Sequence, residues 1–179
     1  MVLRRPFFCP TKVHSNGDFA QTTSTLLDGR SWTLITSSGW LKRGVIEAFD
    51  HAGIMPEAIL DSVPANPKVS DIEKLSGELP MVDTVVALGG GSVLDAAKGL
   101  VALQAIKHDM GALLRHLQQG EELPHNLATA NIIAIPTTSG TGSEVTRWGT
   151  IWGDENVKFS VQHLALYPQD AILDPGLCI

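Results

Sequence analysis

The stretch Val85-Val86-Ala87-Leu88-Gly89-Gly90-Gly91-Ser92-Val93-Leu94-Asp95-Ala96-Ala97-Lys98-Gly99-Leu100 decides the fold. It opens on a β-prone apolar run, passes through three glycines, and continues as an apolar segment with small residues at helical spacing. Strand, tight turn and buried helix follow from that pattern. Glycine in the turn permits positive φ and lets another group approach the main chain without meeting a Cβ. Ser92 and Asp95 stand at capping-box spacing, so the helix is expected to open at Ser92 with its first N–H groups facing the turn. Such an end carries roughly half a positive charge and spare donors, which suits a phosphate or pyrophosphate. Counted from Gly89, the third glycine of the G-x-G-x-x-G fingerprint falls on Leu94, so that fingerprint is absent. Two readings of the turn stand at this point: an anion-binding loop, or a strand-to-helix connection that binds nothing.

Outward from this unit the chain alternates between strand and helix signals. On the N-terminal side Phe7-Phe8, Thr11 to Val13 and Ser31-Trp32-Thr33-Leu34-Ile35-Thr36 read as an edge β region, with a turn at residues 15–18 and a helix from Phe19 to Leu27 between them. Ser37-Ser38-Gly39-Trp40 is a second strand-to-helix turn. It leads into one amphipathic helix through Leu41, Val45, Ile46, Ala48 and Phe49 that ends near Gly53. Ala58-Ile59-Leu60 is a short strand, residues 62–67 a proline-bracketed loop, and Asp71 to Ser76 a helix. On the C-terminal side the central helix runs to Ala105, and another spans Asp109 to Gln119. The buried strand Asn131-Ile132-Ile133-Ala134-Ile135-Pro136 then delivers Thr137-Thr138-Ser139-Gly140-Thr141-Gly142-Ser143-Glu144. Thr141 and Glu144 repeat the capping-box spacing behind glycine. A strand from Thr146 to Trp152, a turn at 153–156 and returning strands near Lys158 and Ala171 close the chain. Such alternation implies a parallel sheet whose ligands lie at the carboxyl ends of the strands, and the turns after Thr36, Leu88 and Pro136 all fall on that edge.

With 179 residues and 44% hydrophobic content, the chain has enough apolar material for one well-filled domain, read as residues 1–179. No apolar run approaches the ~20 residues that span a bilayer, and the N-terminus lacks the long apolar core of a secretory signal. A soluble, cytoplasmic protein without membrane partners is expected. A net charge of −6 argues against nucleic acid, whose binders need a basic face. Cys9 and Cys178 show no C-x-x-C or Cys/His spacing, so two free thiols are expected.

The two glycine-rich loops, taken together, carry a resemblance. Gly89 through Lys98, followed by Ile135-Pro136-Thr137-Thr138-Ser139-Gly140-Thr141-Gly142-Ser143-Glu144-Val145-Thr146, resembles the iron-containing (group III) alcohol dehydrogenases. Asn66 in its Pro-x-Asn-Pro setting, Lys158-Phe159-Ser160, and Tyr167-Pro168 leading to Ala171-Ile172-Leu173-Asp174-Pro175 are similar in order and spacing. The resemblance covers nearly the whole chain. It implies an α/β, Rossmann-like parallel sheet of the dehydroquinate-synthase-like type, flanked by helices and carrying an N-terminal β edge, that binds NAD or NADP. By the same resemblance Gly90, Gly91 and Ser92 hold the pyrophosphate, and Asp95 orders the turn and reaches toward the cofactor. Thr137, Thr138, Thr141 and Ser143 line the adenosine and nicotinamide sides. Lys158 approaches the nicotinamide ribose, Leu166 and Tyr167 border the adenine, and Ser38 and Asn66 complete the set. The reaction implied is reversible hydride transfer between nicotinamide and a small alcohol or aldehyde, with Fe2+ or another divalent metal polarising the oxygen.

Two departures qualify this expectation. The family's Asp-x-x-x-His and later His ligands belong to a helical domain beyond the Asp-Pro motif. None of His14, His51, His108, His116, His125 and His163 fits that pattern, so no metal ligand or catalytic residue is nominated and the chain reads as the cofactor half of a two-domain enzyme. Many relatives also carry an acid after the second strand, where this chain has Ser37-Ser38-Gly39. Losing that carboxylate removes repulsion against a 2′-phosphate, and Lys42 or Arg43 either adds attraction or is simply solvated. The alternatives are a non-catalytic nucleotide-binding module and a lyase domain of the dehydroquinate synthase type. Self-association through an exposed apolar flank is a further expectation.

Overall fold

The computed structural model describes residues 8–15, 17–153 and 156–178. Phe7, Asn16, Asp154 and Glu155, from expected segments, lie outside the described residues. Six parallel strands form one sheet: β1 (Lys12–His14), β2 (Trp32–Ile35), β3 (Ala58–Leu60), β4 (Thr84–Gly89), β5 (Asn131–Pro136) and a terminal strand, Asp170–Ile172. Between β5 and that terminal strand, β6 (Trp148–Trp152) and β7 (Lys158–Gln162) pair antiparallel as a separate hairpin, which makes the terminal strand β8. The order across the large sheet is β1-β8-β5-β4-β2-β3. The expected α/β architecture is therefore observed.

The strands of the sheet centre are buried on both faces, as parallel strands covered by helices are. Their side chains alternate between two cores. Val85 and Ala87 of β4, with Ile132 and Ala134 of β5, pack with α4 (Val69–Ser76), α5 (Gly91–Ala105) and α6 (Met110–Gln119) on one side. Val86 and Leu88, with Ile133 and Ile135, pack with α1 (Phe19–Leu27) and α3 (Val45–His51) on the other. Period-two alternation in the strands thus feeds both layers. Helix starts are set by side chains where one is at hand: Asp18 accepts from the Gln21 N–H at 2.9 Å, and Asp109 from the Ala112 N–H at 2.9 Å.

Four expectations are corrected. The single helix expected after β2 is two pieces, α2 (Ser38–Leu41) and α3, because Gly44 turns the backbone to φ +80° between them. The expected edge region is split: β1 is the edge, whereas β2 lies inside the sheet between β4 and β3. The last strand does not return to the hairpin; β8 joins the main sheet between β1 and β5. Neither capping box forms. Gly90, not Ser92, is the N-cap of α5, and the Thr141–Glu144 segment is one 3-10 turn, Ser143–Val145, entered through Gly142 at φ +67°. Cys9 and Cys178 are both unpaired. No helix of the described residues is long and apolar enough to cross a membrane.

Candidate functional site

Three strand ends build the site. Gly89 pairs in register with Pro136, and the Thr36 hydroxyl donates to the Leu88 carbonyl at 2.7 Å, so the loops after β2, β4 and β5 emerge side by side. Helix α5 starts at the middle of this edge. No side chain caps it, which leaves its first-turn N–H groups without a side-chain acceptor. The glycines beside them are needed for space. A Cβ on Gly91 would lie 2.8 Å from Thr141 Cγ2, one on Gly90 3.4 Å from Thr138 Oγ1, and one on Gly89 2.6 Å from Val93 Cγ2. The β5 loop therefore lies directly against the glycine turn.

A cleft of 250 Å³ opens over this contact and brings together Asn66, Gly91, Ser92, Asp95, Thr141 and Lys158. All six are residues that the sequence nominates. Pro67, Thr150 and Trp152 also line it. Sequence reasoning missed Thr150 and Trp152 because the β6–β7 hairpin has no local signal for where it docks, and Pro67 was read only as the setting of Asn66. Two ties fix its far wall: the Trp152 N–H donates to the Pro67 carbonyl at 2.8 Å, and the Lys158 ammonium lies 4.7 Å over the Trp152 ring. Asn66 has φ +55° and donates its N–H to Ser92 Oγ at 3.1 Å, a left-handed conformation that Asn tolerates better than most residues.

Asp95 is the unusual group in the cleft. Its Oδ1 is buried with no hydrogen-bond partner among the described residues. Burial pushes its carboxyl above the usual carboxylate range, against hydrogen bonding from the Thr150 backbone and Ser143 hydroxyl and the charge of Lys98. Lys98 is a positioning residue one turn further along α5. Its buried ammonium donates to the Ser143 and Trp148 carbonyls, each at 2.7 Å, and so ties both the β5 loop and the hairpin to the helix. Burial lowers its pKa to about 8, opposed by Asp95 and Glu144.

The remaining nominated residues are placed around the cleft. Thr137 is buried and donates its N–H to the Gly89 carbonyl at 3.0 Å, which locks the two loops. Thr138 is exposed above Gly90. Ser143 is buried and faces Lys98 and Asp95 through its carbonyl and hydroxyl. Ser38 opens α2 at the end of β2 and is exposed, with no acid in that first turn; Lys42 and Arg43 follow, exposed, and the Arg43 guanidinium lies 4.7 Å over Trp40. Leu166 is fully buried in the core, so its side chain is not offered to a ligand. Among the described residues no group of three or more His, Cys, Asp or Glu could hold a metal ion.

A protein-family model described as iron-containing alcohol dehydrogenase matches residues 10–175. The chain belongs to that family. Among its family relatives, the 4-hydroxybutyrate dehydrogenase of Cupriavidus necator is 34% identical over 149 residues, covering 82% of this chain and 38% of the relative. A 1-propanol dehydrogenase of Citrobacter freundii is 32% identical over 184 residues, covering 98% of this chain and 44% of the relative. An iron-containing alcohol dehydrogenase of Thermotoga maritima superposes with a TM-score of 0.77 at 28% identity, over 97% of this chain and 48% of that one. The sulfoacetaldehyde reductase of Bifidobacterium kashiwanohense, solved in complex with NAD+, shares the fold with a TM-score of 0.83 at 23% identity, over 97% of this chain and 46% of that one. The chain thus spans less than half the length of the relatives and solved structures it matches.

Proposed function

We infer that residues 1–179 are the nicotinamide-dinucleotide-binding domain of an alcohol dehydrogenase that interconverts a small alcohol and its aldehyde. One observation carries the reading. Gly90 and Gly91 form a ledge without Cβ atoms at the uncapped start of a 15-residue helix, on the carboxyl edge of a parallel sheet, beside a carboxylate with an orphaned oxygen. Such a ledge accepts a pyrophosphate on backbone N–H groups. In this reading Gly90, Gly91 and Ser92 bind the diphosphate, and Thr138 and Thr141 bond to its oxygens or to the adjoining ribose. The Asp95 carboxylate, which lines the cleft, accepts a ribose hydroxyl. Lys158, held on Trp152, donates to the nicotinamide-side ribose, and Asn66 closes that end.

A bound nicotinamide supplies the hydride acceptor or donor for the alcohol carbon. The chain's own contribution is to bind it, fix its orientation and exclude water from one side. The described residues offer no group of three or more His, Cys, Asp or Glu to a divalent ion; in this reading the family's metal is held by the part of the longer relatives that this chain does not span. Alcohol or aldehyde substrates are supported by the named activities of the relatives. The absence of an acid at Ser38, with Lys42 and Arg43 following, supports acceptance of NADPH as well as NADH.

Calorimetric titration with NADH and with NADPH tests the reading, using wild type and Gly91→Val. Saturable binding by wild type that Gly91→Val loses at least tenfold, with an unchanged far-UV spectrum, is expected. No binding of either nucleotide by the folded wild-type chain overturns it.

A further inference from the structure

A larger cavity, 480 Å³, lies between α6 with its following loop and the outer face of the β6–β7 hairpin. It is separate from the cleft over Gly91 and shares one residue with it, Lys158. Its walls are rich in donors. Arg147 has a buried Nε with no hydrogen-bond partner among the described residues, and its guanidinium lies 4.8 Å over the Trp148 ring. Neither Arg147 nor Lys158 enters a salt bridge with any described residue; both are held on indole faces instead of carboxylates. In a protein of net charge −6, two such cations at one cavity stand out.

The neighbouring polar groups are set to donate. Gln162 Oε1 accepts from the Trp148 indole N–H at 3.0 Å, which leaves the Gln162 amide NH2 for the cavity. His163 Nδ1 accepts from the Ala165 N–H at 3.1 Å, so the neutral ring carries its proton on Nε2. Burial, with the charges of His125, Arg147 and His116, lowers the His163 pKa, in keeping with a ring facing uncompensated positive charge. His116 is not available to a ligand: its Nδ1 bonds the Glu121 carbonyl, and its Nε2 accepts from the Gln162 N–H at 3.1 Å. That residue clips α6 to β7. Among the described residues Glu122 is the one carboxylate lining the cavity, and it lies 4.0 Å from His125.

We propose that this cavity is a binding site for a small organic anion, with Arg147 as its central contact and His163, Gln162 and Ser160 as neutral donors around it. A carboxylate-type group has acceptors only, and so satisfies a wall of donors that Glu122, held near His125, does not neutralise. Because Lys158 borders both spaces, the anion is the acidic end of the dehydrogenase substrate, an assignment that rests on the cofactor reading; the site itself does not.

The test uses the whole chain, with 3-hydroxypropionate as the organic anion, 1,3-propanediol as its neutral counterpart and sodium sulfate as the inorganic one. NMR follows the Trp148 indole N–H and the His163 ring. Saturable shifts with 3-hydroxypropionate, none with the diol, and an upward move of the His163 titration on binding are expected. Arg147→Met weakens binding at least tenfold while NADH affinity stays unchanged. Equal binding of the diol, an unmoved His163 titration, or binding by sulfate but not by 3-hydroxypropionate overturns the proposal. Because the His163 readout is made on wild type, it decides the matter even where Arg147→Met fails to fold. Failure of NADH binding with anion binding intact overturns the cofactor reading and the substrate assignment, and leaves the anion site standing.

Discussion

A methyl group added at Gly149 tests how tightly the hairpin is held against the sheet's central helix. Gly149 is buried in β6, and a Cβ there would lie 2.8 Å from the Asp95 carbonyl oxygen, 3.2 Å from Lys98 Cβ and 3.2 Å from Val161 Cγ1. All three are inside the ~3.5 Å at which such atoms attract. The first is helix backbone and cannot rotate away, and Ile151 and Val161, on either side of the contact, are fully buried. Gly149→Ala must therefore lift β6 from α5, at the upper end of the about 1–3 kcal/mol that overpacking costs. For a chain of this size that lowers Tm by roughly 5–10 °C. Differential scanning calorimetry reads it directly, with Gly39→Ala as the control. A Cβ at Gly39 meets nothing closer than Ser37 Oγ at 4.0 Å, so that variant melts with or slightly above wild type. The displaced hairpin carries Trp152 and Lys158, and NADH affinity falls with it. A Gly149→Ala protein that melts within one degree or so of wild type refutes the close hairpin-on-helix packing.

Three further outcomes are expected. Lys98 titrates near pH 8 when folded and near 10.5 when unfolded, so between those values the unfolded chain holds the extra proton and stability rises with pH. That gain, about 3 kcal/mol by linkage, is absent from Lys98→Met in urea unfolding at pH 7 and pH 10; equal gains in the two proteins refute it. Asp95 is harder to ionise folded than unfolded, so its ionisation costs stability as pH rises above its unfolded value of 3.8. Asp95→Asn accordingly melts higher than wild type at pH 7, loses that advantage at pH 3, and binds NADH more weakly; a lower melting point at pH 7 contradicts the reading. Ser38→Asp places a carboxylate where a 2′-phosphate would lie and shifts the ratio of NADPH to NADH affinity at least tenfold toward NADH, about 1.4 kcal/mol, by calorimetry. An unchanged ratio removes Ser38 from cofactor selection.

The residues from Val85 to Leu100 were enough to place strand, turn and helix, because backbone preference, side-chain period and glycine content all act within a few residues of one another. The same local signals located β5 and its Thr/Gly/Ser loop. Five of the nominated residues meet in one cleft because parallel strands deliver their following loops to the same edge, whereas Lys158 reaches it only through the docking of the β6–β7 hairpin. Other features depended on long-range contacts. Gly90 and not Ser92 starts α5, because Ser92 Oγ accepts from Asn66, 26 residues earlier, rather than capping its own helix. Leu166 is sealed in the core although its motif suggested a ligand-facing position. Lys98 reads in sequence only as the end of the glycine-rich motif on a buried helix, with no role assigned to it. Only burial beneath the Ser143 and Trp148 carbonyls makes it the tie between loop and hairpin. Arg147, Gln162 and His163 carry no sequence pattern at all; a donor-rich cavity arises when β6, β7 and α6 pack, and hydrogen bonds between them consume the acceptors. The sequence by itself determined the elements and the polar edge, which obey near-neighbour physics. The tertiary structure decided which polar atoms are left unsatisfied, because that depends on partners distant along the chain.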